Sequence, residues 1–405
     1  GRMIDPLVPN AMRAYATRRA EAWVLERLNG EDGLGAIFPA MVNALEALAV
    51  LGYASSDPRR LAAKRALEKL LVVNASSAYC QPCVSPVWDS ALASLALQET
   101  GGAAALAASV RALDWLQPLQ LPDDPGDWRV RRPRLAGGGW AFQFSNSHYP
   151  DLDDTAVVAW SMHQASNSAH YSHNVQCALD WLVGMQSRNG GFASFDVDNT
   201  HYYLNEIPFA DHGALLDPPT SDVTARVVTV LARVGRPQDQ AALGRAIAFL
   251  RAEQEADGSW FGRWGVNHLY GTGAALPALE ACGLPQDHPA YRSAVGWLDS
   301  VQQSSGAFGE DVRSYAEPGW RGRGAPTASQ TAWALLGYVA AGQSERLSTR
   351  RAADYLSRIQ RPDGDWDEQH FTGTGFPLDF MIRYHLYRLT FPLLALGRLR
   401  ERLNA

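Results

Sequence analysis

The chain has 405 residues, 46% hydrophobic and 10% aromatic, enough to bury a large core and too apolar for a disordered chain. A net charge of −6 and a pI near 5.9 speak against a nucleic-acid binder, which needs a basic face to neutralise phosphates. Four cysteines are too few for a disulfide framework, and no apolar run reaches bilayer-spanning length.

The chain opens "GRMIDP", with Gly1 rather than Met, and passes quickly into helical pattern. Cys80 and Cys83 form one CxxC with no second pair and no paired histidines, a poor match to zinc ligation. Reducing cytosol is the default setting. From there a unit recurs: an aromatic, Gln five residues later, Gly four further on, and Trp or Phe two beyond. It is carried by Trp181, Gln186, Gly190 and Phe192, then from Phe249 to Trp260, from Trp297 to Phe308 and from Tyr355 to Trp366. A stretched copy runs from Trp115 through Gln120 and Gly126 to Trp128, and a worn copy starts at Trp23 with Leu28 in place of Gln.

Each copy reads as the end of an amphipathic helix closed by a glycine turn. The Gln can bond backbone groups left open at the turn, and the Trp or Phe covers them. Between the copies lie helices rich in Ala, Val and Leu, starting near Val87, Asp153, Ser221, Tyr270 and Ser329. Low charge all round suits a helix walled in on most sides. Alternation of the two classes predicts an all-α protein, two concentric rings in an α/α barrel, with polar groups at the inner helix starts sharing one end. The short basic run Arg129, Arg131, Arg132 and Arg134 is read as a solvated loop edge, with contact to anionic lipid as the alternative.

"YPDLDDTAVV" places Asp151, Asp153 and Asp154 at one inner helix start. Asp is a good N-cap and suits the helix dipole, so the motif alone fits a cap as well as a catalytic group. Three crowded carboxylates repel, however, so one is expected to stay protonated while the dipole pulls the others down. Trp88 beside Asp89, Phe142 and Phe144, Phe195, Trp264, Phe376, Phe380, Tyr384 and Tyr387 recur in loops before inner helices or in a glycine-rich stretch. A cavity of π-faces with a strong acid at one end would stabilise carbocations, and its substrate would be an oily polyene.

The repeats, "SPVWDSALA", "GGGWAFQFSNSHYPDLDDTAVV", "FDVDNT", "IPFADHG", "DPPTSDVTARVV", "DGSWFGRWGVNHLYGTG" and "GTGFPLDFMIRYHLYRLTFPLLALGR" together resemble the squalene–hopene cyclases, bacterial class II triterpene cyclases, over nearly the whole chain. The resemblance implies an α6/α6 barrel at residues 73–405, with residues 1–72 as the remnant of a second α barrel whose longer N-terminal portion is expected ahead of Gly1. It implies a monotopic enzyme on the cytoplasmic face of the bacterial membrane, able to form a homodimer, with squalene or a similar polyprene as substrate and no metal or organic cofactor. Carried over by position, Asp153 is the proton donor, flanked by Asp151 and Asp154, and Asp222 belongs to the network that holds and reloads it. Trp88, Phe142, Phe195, Trp264, Phe376, Phe380 and Tyr387 line the cavity. Tyr384 and Asp89 support it, Gln143 and Tyr270 stand near the acid, and Phe209 and Ala210 match the channel constriction.

Three positions depart from the family pattern: Arg226 replaces a His, Phe195 a Tyr and Phe38 a Gln. A permanent cation at Arg226 strengthens Asp153 as an acid and favours its carboxylate. Phe195 keeps a π-face and loses a hydroxyl, and Phe38 leaves open whether the last cation loses a proton to give hopene or takes up water to give hopanol. The rival expectations are a class II cyclase of another polyprenyl chain, an inactive truncated cyclase or lipid-binding remnant, and an inverting glycoside hydrolase with carboxylates on opposing walls.

Overall fold

The computed structural model describes residues 7–30, 32–121, 126–207 and 215–404, which form helices joined by turns and three two-stranded ribbons. The chain divides into two compact units: Gly1–Pro86 with Ala141–Tyr149, and Val87–Trp140 with Pro150–Ala405.

In the first unit, helices α1 (Asn10–Glu26), α2 (Phe38–Val50) and α3 (Pro58–Lys69) precede a hairpin of Leu71–Val73 with Ala78–Cys80. Asp57 starts α3 by accepting from the Arg59 amide at 2.9 Å, and Pro58 at the first helical position costs no hydrogen bond. Met41, Ala66 and Leu70 make a small core, while no described residue of α1 is buried. Cys80 is a free thiol, and no group of His, Cys, Asp or Glu among the described residues could hold a metal ion.

The second unit is the α/α barrel. Its inner helices are α4 (Pro86–Thr100), α6 (Leu152–Gln164), α8 (Ser221–Val234), α10 (His268–Ala281), α12 (Ala328–Ala340) and α14 (Tyr387–Asn404). The outer helices are α5 (Ala103–Leu116), α7 (Ser172–Gly184), α9 (Gln240–Ala252), α11 (Pro289–Val301) and α13 (Leu347–Ile359). Side-chain character sorts the rings: every residue of α12 is buried, whereas α13 buries only Thr349, Ala352 and Leu356. Inner helices α6, α8, α10, α12 and α14 pack in succession. Helix α4 closes the ring, with Glu99 paired to Arg398 of α14 at 3.2 Å and Gln98 donating to the Ser161 carbonyl of α6 at 3.1 Å.

The repeated Gln has the structural part its spacing predicts. Gln186 Nε2 donates to the carbonyls of Gly190 and Ala242, both at 2.8 Å, so one side chain ties its own turn to the start of α9. Gln254 does the same with Gly258 and Ala290, and Gln302 with Gly306 and Ser348. Glycine is required at the turn: Gly190 has φ +90°, and a Cβ there would lie 2.5 Å from the Arg245 carbonyl. Trp260 and Trp366 then donate back to Leu250 and Leu356, sealing the end of the preceding helix.

The stretched copy differs from the sequence reading. Gln120 donates to the Gly138 carbonyl at 2.8 Å, and Trp140, not Trp128, donates to Leu116 at 2.7 Å. The residues between Gln120 and Gly138 are therefore an insertion whose own Gly126 and Trp128 imitate the motif. No helix among the described residues is long and apolar enough to cross a membrane.

Candidate active site

Helix α6 begins with Asp151, whose Oδ1 accepts from the amides of Asp153 at 2.6 Å and Asp154 at 3.2 Å. The cap reading thus holds for Asp151, which leaves Asp153 and Asp154 free of that duty. The Leu152 amide donates to the Ser194 carbonyl at 2.8 Å, fixing the helix start to the turn that carries Phe195.

Both carboxylate oxygens of Asp153 accept from Arg226 Nη1 at 3.0 Å. Arg226 projects from α8, donates through Nη2 to the Tyr270 hydroxyl, and lies 5.1 Å from the Trp88 ring centre. Burial pushes Asp153 up to about 7, against the pull of Arg226 and with help from the charge of Asp222. Arg226 keeps its proton more firmly than an ordinary guanidinium, because Asp153, Tyr270 and Asp222 outweigh the cost of its burial. Asp151 and Asp154 are also raised well above the carboxylate range, by burial first and then by neighbouring carboxylates. This corrects the expectation that the helix dipole would lower the flanking acids: with all three side chains out of water, desolvation wins. Asp154 Oδ1 has no hydrogen-bond partner, and the charge of Asp89, in the first turn of α4, adds to the rise at Asp154.

Asp222 makes no hydrogen bond to Asp153. Its Oδ1 accepts from Thr220 Oγ1 and the Val223 amide, and its Oδ2 from the amides of Arg263 and Trp264, both at 2.8 Å. It clamps the loop before α10 and reaches Asp153 only through its charge. On that loop Trp264 Nε1 donates to Ser194 Oγ at 2.6 Å, and the Trp264 ring meets Phe195 edge-on at 6.3 Å. Gly265 lets the loop cross Tyr270, since a Cβ there would stand 2.5 Å from the ring.

Trp88 Nε1 donates to the Tyr387 hydroxyl at 2.9 Å, and Tyr387 stacks on Tyr384 with ring centres 4.3 Å apart. Phe376 and Phe380 face each other at 6.3 Å across a bulged ribbon of Gly373–Phe376 with Phe380–Ile382. Phe142 and Gln143 belong to the other compact unit, where Gln143 Nε2 donates to the Gly35 carbonyl at 3.4 Å. Phe38 opens α2 in that same unit. Phe209 and Ala210 lie outside the described residues.

Sequence reasoning missed two residues. Asp217 accepts from the amides of Ser194, Phe195 and Asp196, at 3.2, 2.6 and 2.8 Å, and burial pushes it up to about 6. Trp333 of α12 meets Tyr270 at 4.8 Å and Tyr387 at 6.1 Å, joining these two rings. A Trp inside the otherwise small-residue stretch "SQTAWALLG" was the available signal.

The family model of the squalene-hopene cyclase C-terminal domain matches residues 84–401, and that of the N-terminal domain matches residues 1–76. The chain belongs to the squalene–hopene cyclase family. It is 52% identical over 405 residues to a probable squalene–hopene cyclase of Sinorhizobium fredii, covering 99% of this chain and 63% of that protein. It is 44% identical over 392 residues to the squalene–hopene cyclase of Alicyclobacillus acidocaldarius, covering 96% of this chain and 62% of that one. The chain thus spans about 62 to 63% of the length of these relatives. Among solved structures, the type II terpene cyclase MstE from Scytonema superposes with a TM-score of 0.55 at 17% identity, over 82% of this chain and 92% of that one. That likeness concerns the fold and agrees with the α/α barrel.

Proposed function

We propose that this squalene–hopene cyclase family chain cyclises squalene by protonating a terminal isoprene double bond from Asp153, giving hopene, hopanol or both. The observation that carries the reading is the buried pair of Asp153 and Arg226, set among Trp88, Tyr270 and the rings joined to them. An acid pushed up to about 7 holds a proton for much of the time at neutral pH. When it gives that proton to an alkene, the carboxylate left behind already has two hydrogen bonds from Arg226. The cation formed passes among π-faces that attract positive charge without acting as bases. Enforced folding of the polyene supplies much of the rate.

On this reading Trp88, Phe195, Trp264, Phe376, Phe380 and Tyr387 line the cavity, and Asp89, Tyr270 and Tyr384 support it. Residues 73–405 are the catalytic barrel and residues 1–72 belong to a second one. The protein works at the cytoplasmic face of the membrane, and exposed Tyr202, Tyr203 and Leu215 offer it apolar contact with lipid. A glycoside hydrolase finds no support, because the three acids share one helix start instead of facing each other.

Incubation with squalene in D2O, followed by mass spectrometry, tests the proposal. A pentacyclic product carrying one deuterium from the initiating step supports it. Untouched squalene beside cyclisation of a different polyprene would replace squalene as the substrate, and no cyclisation of any polyprene would sink the reading.

A further inference from the structure

The C-terminal ends of the inner helices meet at the end of the barrel away from Asp153, around a cavity of about 490 Å³. Each inner helix contributes to its wall: Glu99, Trp160, Arg233, Glu280, Val339 and Arg398. Converging C-termini carry partial negative charge, which explains the presence of cations but not how these are partnered. Arg402 pairs with Glu280, and Arg398 Nε with Glu99 at 3.2 Å. Arg233 is exposed and pairs with no described carboxylate, and Arg398 Nη2 is buried with no hydrogen-bond partner.

These two guanidiniums both lie over the Trp160 ring, at 5.0 and 4.9 Å. Like charges are thus held together in a half-closed space. Arg233 is exposed at the rim of this cavity, where partial desolvation, and after it the charges of Arg398 and Arg402, weaken its hold on its proton, and Glu280 and Glu99 offset this only in part. A buried charged donor such as Arg398 Nη2 is costly to leave without an acceptor. Cavities of this size commonly hold a small ligand oriented by a few convergent polar groups.

We propose that this mouth of the barrel is an oxyanion site, in which a phosphate- or carboxylate-type group accepts hydrogen bonds from Arg233 and Arg398 Nη2 beside the Trp160 ring. Two guanidiniums suit an oxyanion because each can present paired N–H donors. Glu401 and His163 complete the polar rim. Beyond Trp160 a narrow apolar gap of about 60 Å³, lined by Leu95, Val157 and Leu394, continues toward Arg226. The oxyanion can therefore be a free ion or the head of an amphiphile whose tail enters the gap. The site stands apart from Asp153 and does not depend on the cyclase reading.

Isothermal titration of the whole chain at constant ionic strength, with pyrophosphate in one arm and octanoate in the other, tests the proposal against chloride. At least one arm binds, and Arg233→Gln weakens that binding tenfold or more. Octanoate binding more tightly than acetate identifies an amphiphile, and pyrophosphate binding alone identifies a free ion. Glu280→Gln removes a competing carboxylate and tightens binding, a gain that a misfolded variant cannot show. Binding no stronger than chloride in both arms, or full affinity in a folded Arg233→Gln variant, overturns the proposal.

Discussion

Arg226 Nη1 holds both carboxylate oxygens of Asp153 at 3.0 Å, yet Asp153 still titrates near 7 because burial outweighs the cation. On the proposed reading the protonated form of Asp153 is the working one, so kcat/KM is expected to be highest below about pH 7 and to fall as pH rises through it. Arg226→Gln removes the influence that lowers Asp153, so the falling limb moves to higher pH while kcat drops by about tenfold or more. A pH–rate profile of both proteins checks this. An unmoved limb would mean that Arg226 does not set the acid.

Asp151 caps α6 through the amides of Asp153 and Asp154. Asp151→Ala costs about 1 kcal/mol of stability, while Asp151→Asn, which can still cap, costs a few tenths. Urea unfolding of the two variants distinguishes capping from a charge-only role, under which both would behave alike.

Gln186 is buried and joins two carbonyls across a repeat. Gln186→Ala leaves both unpaired and lowers stability by about 1–3 kcal/mol, and Gly190→Ala is destabilising through its φ of +90° and the near Arg245 carbonyl. Activity per folded molecule at low temperature stays near wild type in both. A selective loss of kcat in a stable Gln186→Ala protein would give the repeat a chemical part.

Asp217 gathers three amides beneath Phe195. Asp217→Ala frees that turn, which also receives Trp264 Nε1 and the start of α6. The expected result is a larger share of partly cyclised products, read by gas chromatography. An unchanged product spectrum with lowered stability would make Asp217 a support for the fold only.

The barrel was legible because its two helix classes differ in composition and its turns repeat Gln and Gly at fixed spacing. The stretched copy misled because Gly126 and Trp128 occur inside an insertion, and only hydrogen bonding shows that Gly138 and Trp140 close the turn. Asp151, Asp153 and Asp154 were visible as a cluster, but their common rise in pKa depends on burial, which spacing does not encode. Asp217 and Trp333 act through contacts distant in sequence, so neither stood out beside the motifs. Arg226 was singled out by resemblance, and its twofold hold on Asp153 emerged only from the fold.

The central claim is that the proton comes from Asp153. Its most direct test is the turnover of squalene by Asp153→Asn, with circular dichroism to verify the fold. A folded variant that has lost at least about a hundredfold in turnover is the result predicted; a folded variant that cyclises squalene at the wild-type rate would contradict it.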